Sequence, residues 1–510
     1  MVLGTSSHVG KSLLVTALCR IFARRGVRVA PFKSQNMSLN SSATVEGLEI
    51  GRAQALQAEA AGVVASVDMN PILMKPSGDQ TSQIVVRGKI WGTLSAADYH
   101  LRRVTELMPV VRASYEALAE AYDVVILEGA GSPAEINLKQ HDIVNMRMAE
   151  MADARCLLVG DIDRGGVFAS LFGTVELLET DERARIAGFA INKFRGDVGL
   201  LEPGVRMIEE RLAKPCLGVV PYLPGLALEE EDSLGLPVVV DGGWPVDVGA
   251  GRGLRVAVVA LASFSNFTDF DALRAEPSVC LRFCRTVEQL READVIVLPG
   301  SKQTVDDLLW LRASGIAEFL VGYAARGLVV GICGGMQMLG ETIDDPMGME
   351  RVGEVAGCGL LGIRTVMQER KVTCLTAGAM AGETLFGQSV GGTAVAGYEI
   401  HIGETTYREG ARPFAWIERE GERHWDGCVA PDGRVWGTYL HGVFDQDGFR
   451  HAFLKSARAY WGLAPVVGFV DWKGMREESL ERLADAVEGA LDMKELFGWV
   501  GLSYEPGDGR

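Results

Sequence analysis

Short, uninterrupted apolar runs recur along this chain, and each ends at Gly, Asp, Asn or Pro before a helix-like stretch begins. In the first 225 residues they span Tyr122 to Gly129, Cys156 to Asp161, Ile186 to Asn192 and Cys216 to Pro221. A run that is apolar at every position suits a parallel strand covered by helices on both faces. The pattern therefore predicts a doubly wound α/β fold.

A second series of such runs starts at Leu254 and includes Val295 to Leu298 and Leu328 to Ile332. Further strands are predicted at Phe414 to Ile417 and Val435 to Tyr439. A chain of 510 residues is also too long for one hydrophobic core. We therefore predict two doubly wound α/β domains.

The boundaries of these domains follow from changes in composition. An acidic, turn-rich stretch separates the two series, and we expect a linker over 229–252 with one peripheral strand at Val238 to Val240. The first domain then covers 1–228 and the second 253–448. A helical pattern, clearest from Glu477 to Met493, predicts a C-terminal helical extension over 449–510.

Bulk properties exclude several classes of protein. A net charge of −17 argues against a nucleic-acid partner. The apolar runs are far shorter than the roughly 20 residues of a membrane span, and we expect neither a membrane segment nor a signal peptide. Nine cysteines without metal-like spacing indicate reduced thiols and a cytoplasmic enzyme. The oligomeric state stays open, a homo-oligomer included.

The first motif is a phosphate-binding loop, Gly4–Ser12 (GTSSHVGKS), between a short strand and an amphipathic helix. Backbone N–H groups of such a loop converge on phosphates at the helix N-terminus. We predict that Thr5, Gly10, Lys11 and Ser12 bind ATP, with the Ser12 hydroxyl also on Mg²⁺. Thr5 occupies the usual place of the first glycine, a variant that resembles the loop of dethiobiotin synthetase.

Polar residues at the ends of later strands extend this site. Glu128 follows an apolar strand where P-loop proteins place the acid that coordinates magnesium, so we predict Ser12 and Glu128 as metal ligands. Asn192 is expected against the adenine, as in related proteins, or else is a turn residue. Asp161 and Asp163 either hold metal or substrate or simply end a strand.

The second motif is a nucleophile elbow, Gly331–Gly335, with Cys333 between an apolar strand and a helical run. Flanking glycines allow the sharp turn that exposes the sulfur, and the helix N-terminus favours its thiolate form. Backbone N–H groups there can hold an oxyanion. A thiol nucleophile needs a base, for which His441 is the first candidate and His401 its competitor.

These residues identify a family. The elbow, the turn Leu298–Lys302 and the segment Tyr439–Gly442 resemble a class I glutamine amidotransferase domain. The resemblance implies that Cys333 attacks the glutamine amide, that His441 is the general base, and that backbone at Pro299 and Gly300 forms part of the oxyanion hole.

One position departs from the pattern of that class. A glutamate ordinarily follows the histidine by two residues, but Val443 stands there. The subgroup fused to cobyrinate amidases typically lacks this acid, so the departure agrees with that subgroup. Asp445 is then a candidate for orienting His441, or else a plain surface charge.

The chain as a whole resembles the cobyric acid synthase family over about residues 1–450. The segments that carry this are Pro31–Asn40, Glu128–Glu135, Asp161–Phe168 and Asn192–Asp197. The resemblance implies amidation of the b, d, e and g carboxylates of adenosylcobyrinic acid a,c-diamide in cobalamin biosynthesis. ATP, Mg²⁺ and glutamine would be required.

Two other interpretations remain at this point. Cobyrinic acid a,c-diamide synthases have the same two domains, although the Ser34–Ser38 string and Asp-Arg-Gly-Gly at Asp163–Gly166 favour the first family. A ParA-like switch ATPase would share the P-loop but needs no elbow. Candidates for the corrin pocket are the Lys75–Gly78 loop and Tyr398–His401.

Overall fold

The computed structural model describes residues 1–77, 81–229, 244, 252–382, 384–419, 421–466 and 468–505. They form an N-terminal and a C-terminal α/β unit, as the apolar runs predict. The predicted linker falls almost entirely outside the described residues, and the strand predicted at Val238 to Val240 lies wholly outside them. Within the described part of the chain, no helix is both long and apolar enough to cross a membrane.

The N-terminal unit contains twelve described strands and eight described α-helices. The strands are β1 (Val2–Gly4), β2 (Val29–Phe32), β3 (Gln35–Met37), β4 (Ser41–Ala43), β5 (Glu49–Gly51), β6 (Ile72–Ser77), β7 (Thr81–Val86), β8 (Lys89–Ser95), β9 (Val124–Leu127), β10 (Cys156–Asp161), β11 (Ile186–Phe194) and β12 (Cys216–Pro221). The helices are α1 (Lys11–Arg24), α2 (Arg52–Ala60), α3 (Ala96–Arg102), α4 (Met108–Ala121), α5 (Met146–Met151), α6 (Val167–Glu176), α7 (Thr180–Arg185) and α8 (Val198–Leu212).

A parallel sheet forms the centre of this unit. Strands β1, β10, β11 and β12 pair in that order, and β2 pairs with β9. A parallel bridge between Val2 and Glu128 joins the two groups, which gives the order β2-β9-β1-β10-β11-β12. Except for the edge strand β12, the strands are largely buried because helices cover both faces, and the loops after β1, β9, β10 and β11 meet at one edge.

A smaller sheet lies between this core and the second unit. Strand β3 pairs with β6 in parallel, and β6, β7 and β8 form an antiparallel meander. Strands β4 and β5 make a separate hairpin whose Ala43 packs on Tyr398 and Ile400 of the C-terminal unit. The sequence pattern did not predict these additions.

The rest of the chain contains fourteen described strands, all in the C-terminal unit, and eight described α-helices. The strands are β13 (Leu254–Val259), β14 (Val279–Cys284), β15 (Val295–Leu298), β16 (Leu328–Ile332), β17 (Thr342–Asp345), β18 (Gly353–Ala356), β19 (Ile363–Met380), β20 (Thr384–Leu385), β21 (Gln388–Ser389), β22 (Ala394–Tyr407), β23 (Ala415–Arg419), β24 (Glu422–Asp426), β25 (Cys428–Val429) and β26 (Val435–Thr438). The helices are α9 (Asp271–Ala275), α10 (Val287–Leu290), α11 (Thr304–Ala313), α12 (Ile316–Ala324), α13 (Gly334–Leu339), α14 (Asp447–Tyr460), α15 (Trp472–Ala490) and α16 (Met493–Trp499).

Two sheets build this unit. The first has the order β14-β13-β15-β16-β26-β25, parallel except for β25. The second, largely antiparallel, is built around the long pair β19 and β22, with β17, β18, β23 and β24 beside it. The carboxyl ends of β13, β15, β16 and β26 lie at one edge of the first sheet, where ligands of such folds bind.

The C-terminal helices divide between the two units. Phe449, Phe453 and Leu454 of α14 belong to the core of the C-terminal unit. Helices α15 and α16 instead pack on α1 of the N-terminal unit, where Phe497 stacks on Phe22 with ring centroids 4.2 Å apart. The segment predicted as one extension thus closes the core of the first unit.

Candidate active sites

The phosphate loop joins β1 to α1 as the sequence predicts. The Thr5 N–H continues the sheet by donating to the Val159 carbonyl at 3.0 Å. Lys11 is buried, and its Nζ donates to the carbonyls of Ser6 at 2.9 Å and Gly131 at 3.1 Å. A Cβ on Gly4 would lie 2.9 Å from that Nζ, so the displaced glycine makes room for the lysine.

Asn192 and Lys193 support the loop from β11. The Asn192 amide donates to the Val9 carbonyl at 2.8 Å, and Lys193 Nζ donates to the His8 carbonyl at 2.6 Å. Gly10 has a φ of +95°, and a Cβ there would lie 2.2 Å from the Asn192 amide nitrogen. Position 10 therefore requires glycine, both because its backbone is left-handed and because a Cβ would clash with Asn192. The adenine contact of Asn192 stays a prediction.

Oxygen ligands for a cation meet below the loop. Ser12 Oγ donates to Glu128 Oε1 at 2.8 Å, which places the two predicted metal ligands side by side. Lys33 Nζ lies 2.8 Å from the same carboxylate oxygen, and Gln57 donates to the other at 2.6 Å. A hydroxyl and a carboxylate next to a phosphate loop fit Mg²⁺, which takes one or two protein oxygens with phosphates and waters.

Asp161 and Asp163 lie at the end of β10 without such a partner set. Asp161 accepts the Asp163 N–H at 2.8 Å and contacts Lys193 Nζ at 3.0 Å. Asp163 pairs with Arg195. These contacts agree with the reading in which both aspartates end the strand.

A cavity of about 1770 Å³ opens beside the phosphate loop. Ser7, His8 and Lys11 line one side, and the opposite side comes from 35–39 and from Ser132 and Pro133. Two of the segments that carry the family resemblance therefore face the same space. Basic side chains also line it, namely Lys33, Lys139, Arg147, Arg155 and Arg185.

The elbow places Cys333 between β16 and α13. Its backbone has a φ of +49°, a strained value for a residue with a side chain. A Cβ on Gly335 would lie 1.9 Å from the Leu298 carbonyl, and one on Gly331 would lie 2.6 Å from the Met336 backbone. The glycines let the turn pack against the backbone of Leu298 and Pro299, next to Gly300. The oxyanion-hole role of the Pro299 and Gly300 backbone stays a prediction.

His441 follows β26 and faces the thiol. It lines the same small cavity as Cys333, whose Sγ donates to the Ile400 carbonyl at 3.7 Å, and it is 1% exposed. Its Nδ1 lies 2.7 Å from Asp269 Oδ2, and the other Asp269 oxygen accepts the Gly442 N–H at 2.9 Å. Burial opposes the charged imidazolium, but Asp269 and Cys333 outweigh that effect and raise the pKa of His441 to about 10.

The expectation that Asp445 orients His441 is therefore wrong. The Asp445 carboxylate faces Arg52, 3.8 Å away, whereas Asp269 reaches the imidazole from the loop after β13. The sequence offered one signal: β13 was predicted as a parallel strand, and side chains beyond the carboxyl ends of such strands converge. No short motif linked Asp269 to His441, which lies 172 residues away.

His401, the competing base, has both ring nitrogens engaged. Nδ1 lies 2.8 Å from the Gly403 carbonyl, and Nε2 lies 3.3 Å from Glu399. Its ring stacks on Tyr439 with centroids 3.7 Å apart. His401 lines the thiol cavity, but these contacts occupy its ring nitrogens and fix its ring, so the geometry favours His441 as the base.

The thiol cavity is small, about 60 Å³, and both units line it. Lys75 and Gln83 of the N-terminal unit face Cys333 and His441 across it. Their strand neighbours Pro76 and Ser82 instead line the large cavity, because successive strand residues point to opposite faces. Strands β6 and β7 therefore separate the two cavities.

Comparisons with known proteins match both units. The CobQ/CobB/MinD/ParA nucleotide binding domain matches residues 1–235, and the CobB/CobQ-like glutamine amidotransferase domain matches residues 255–449. The cobyric acid synthase of Sorangium cellulosum is 50% identical over 518 residues, and that of Clostridium acetobutylicum is 47% identical over 504. Each match covers 98% of both chains. The chain belongs to the cobyric acid synthase family.

Among solved structures, PurLQS from Thermotoga maritima matches 41% of this chain and 100% of its own, with 17% identity and a TM-score of 0.33. That likeness is too slight to argue from. The full-length matches confirm the predicted cobyric acid synthase family and leave the ParA-like switch without support, since both family domains are present. The predicted roles of individual residues remain predictions.

Proposed function

We propose that this chain is a cobyric acid synthase that amidates the b, d, e and g carboxylates of adenosylcobyrinic acid a,c-diamide, using ATP and glutamine. The observation that carries the proposal is the close match along almost the whole chain to relatives with that name. The family domains supply its two parts, a nucleotide site and a glutamine amidotransferase.

The large cavity is the proposed synthetase site. Its volume of about 1770 Å³ suits a bulky macrocycle, whereas the thiol cavity of about 60 Å³ does not. Arg147, Arg155 and Arg185 line the large cavity, and guanidinium groups bind carboxylates through paired hydrogen bonds. Of the predicted Lys75–Gly78 loop, Pro76 lines this cavity and Lys75 faces the thiol cavity, so the loop remains a candidate through Pro76. Ile400 and His401 of the segment Tyr398–His401 line the thiol cavity, which argues against that segment as a corrin contact.

At the synthetase site, a substrate carboxylate oxygen attacks the γ-phosphorus of ATP, ADP leaves, and an acyl phosphate forms. Lys11 and the loop N–H groups stabilise the charge on the transferring phosphoryl group. Ser12 and Glu128 would hold Mg²⁺, which supplies charge neutralisation at the phosphate oxygens when bound. Ammonia then attacks the acyl carbon, and inorganic phosphate leaves.

At the thiol site, His441 holds the proton of Cys333 as an imidazolium, in keeping with its raised pKa, and the thiolate sulfur attacks the side-chain carbonyl carbon of glutamine. The C–N bond breaks as His441 returns the proton to the leaving nitrogen, which departs as ammonia. Asp269 holds the imidazole in the tautomer and orientation that both transfers need. Water then hydrolyses the glutamyl thioester to glutamate.

Ammonia is proposed to pass between the cavities inside the protein. The support is the thin β6–β7 wall and the buried Gln83, whose Oε1 faces the thiol cavity and has no hydrogen-bond partner among the described residues. Lys302 and Lys371 line the same cavity. Burial lowers the pKa of both, that of Lys371 to about 8. Cations there disfavour protonation of ammonia to ammonium, which cannot act as a nucleophile.

The test is incubation of purified protein with the a,c-diamide, MgATP and glutamine, with the corrinoid masses followed over time. Four successive conversions of carboxyl to carboxamide are expected. Cobyrinic acid serves as the competing substrate, and its conversion to the diamide in place of the four amidations would assign the chain to the a,c-diamide synthase activity.

A further inference from the structure

The wall of the large cavity continues directly into a contact with the C-terminal unit. Residues 35–39 line the cavity, and Asn40 and Ser41 follow at once. Both are buried, Asn40 with 2% of its surface exposed and Ser41 with none. A change in the position of 35–39 is therefore passed to these two residues, because close-packed interiors transmit small shifts.

Two hydrogen bonds connect this segment to the turn before α9. Asn40 Oδ1 accepts the N–H of Phe267 at 3.1 Å, and Asn266 Oδ1 accepts the N–H of Ser41 at 2.9 Å. Asn266 is 3% exposed and has a φ of +52°, in the left-handed region. Asparagine tolerates this backbone conformation, and the two hydrogen bonds to the N-terminal unit hold the turn in place.

The same turn bears the acid that holds His441. The Asp269 N–H donates to the Asn266 carbonyl at 3.0 Å, and both Asp269 carboxylate oxygens bind the His441–Gly442 segment. A continuous set of contacts therefore runs from the synthetase cavity through Asn40 and the turn to His441.

We propose that Asn40 is a positioning residue through which occupation of the synthetase cavity sets the geometry of the thiol centre, so that glutamine is cleaved fastest when nucleotide and corrinoid are bound. This inference rests on the proposed function, because it requires a carboxylate substrate at 35–39. Such coupling prevents glutamine from being cleaved when no acyl phosphate awaits the ammonia.

The experiment compares the full chain with Asn40→Leu, which keeps the branching at Cγ but removes the acceptor for the Phe267 N–H. Thr44→Val is the matched control, since it deletes a buried hydroxyl that accepts the Leu48 N–H within the β4–β5 hairpin. Glutamate production is measured with and without MgATP and the a,c-diamide, and kcat and KM for glutamine are separated.

The wild-type chain and Thr44→Val are expected to show the same stimulation of kcat by the synthetase substrates. In Asn40→Leu the stimulation should fall by roughly 10-fold, within the usual range of coupling between sites, with KM for glutamine unchanged. Amidation from added ammonium chloride should continue in all three proteins, and its absence in the wild type would reject the proposed function instead.

Three results would overturn the inference. The first is a wild-type glutaminase rate that does not depend on the synthetase substrates. The second is equal stimulation in Asn40→Leu and the wild type. Equal losses in Asn40→Leu and Thr44→Val would likewise reject a specific role for Asn40, since they would indicate general loosening of the hairpin.

Discussion

The two reaction cavities differ in size and in the way they are built. The phosphate-loop cavity is wide, and its described lining comes entirely from the N-terminal unit. The thiol cavity is about thirty times smaller by volume, and residues of both units enclose it. The lining of the first cavity therefore depends on one unit, whereas that of the second depends on how the two units are docked.

Cys333→Ala is expected to have the largest effect, and it distinguishes the function of the thiol cavity from that of the synthetase cavity. Glutamine-dependent amidation should fall by roughly 10⁴- to 10⁶-fold, as for loss of other covalent nucleophiles. Amidation supported by ammonium chloride should persist, because the synthetase cavity is untouched. Cys358→Ala is the control. Comparable losses in Cys333→Ala with both nitrogen sources would contradict the assignment of glutamine cleavage to one cavity and amidation to the other.

The next largest effect is expected from Asp269→Asn, which tests whether Asp269, and not Asp445, orients His441. The glutaminase kcat should fall roughly 10²- to 10⁴-fold, because the imidazole loses its correct tautomer. Removal of the carboxylate also removes the main cause that raises the pKa of His441, so that pKa should drop from about 10 towards its ordinary value.

The direction of this change in the pKa of His441 can be followed by NMR titration of the wild type and of Asp269→Asn. Wild-type His441 should stay protonated as the pH rises past 8 and lose its proton near 10, whereas the variant should lose it at lower pH. Asp445→Asn is the control and should change glutaminase activity little. A large loss there with a mild loss in Asp269→Asn would restore the original expectation.

Gly10→Ala tests the wide cavity alone. The added Cβ would meet the Asn192 amide and force a left-handed backbone, which together should cost more than about 1 kcal/mol in the loop conformation and weaken ATP binding several-fold. Gly26→Ala has the same backbone cost, with a φ of +74°, but no atom within 4 Å of the new Cβ. Calorimetric ATP titration of both variants isolates the effect of the loop.

The smallest expected effect concerns the wall between the cavities. In Gln83→Met the ratio of amide formed to glutamate released should fall by roughly 2- to 10-fold, because Oε1 can no longer accept a hydrogen bond from passing ammonia. Gln388→Leu, at an exposed strand, is the control. With amide-¹⁵N glutamine and unlabelled ammonium in the buffer, dilution of label in the product should rise only in Gln83→Met.

Local signals explain which features the sequence could predict. Cys333 lies in an elbow whose glycines are set by steric contacts within a few residues, so the motif alone identifies it. Strands β10, β15 and β16 are buried at nearly every position and were predicted with their observed bounds, as was the less buried edge strand β12. The fold class follows from such runs, because parallel strands are covered on both faces.

Features that depend on distant contacts were missed. Strands β19 and β22 are partly exposed along much of their length, so neither a continuous nor an alternating apolar pattern marks them. Asp269 becomes functional only when the turn after β13 is brought against His441. The hairpin β4–β5 likewise has a role only once it contacts the second unit.

The packing of α15 and α16 on α1 has a consequence for synthesis on the ribosome. Helix α1 emerges early, yet the helices that cover one of its faces follow only after the entire C-terminal unit. Apolar side chains of the first unit therefore remain exposed to water during much of translation, when aggregation threatens and chaperones bind. The core around α1 is completed only after the C-terminal unit has been synthesised.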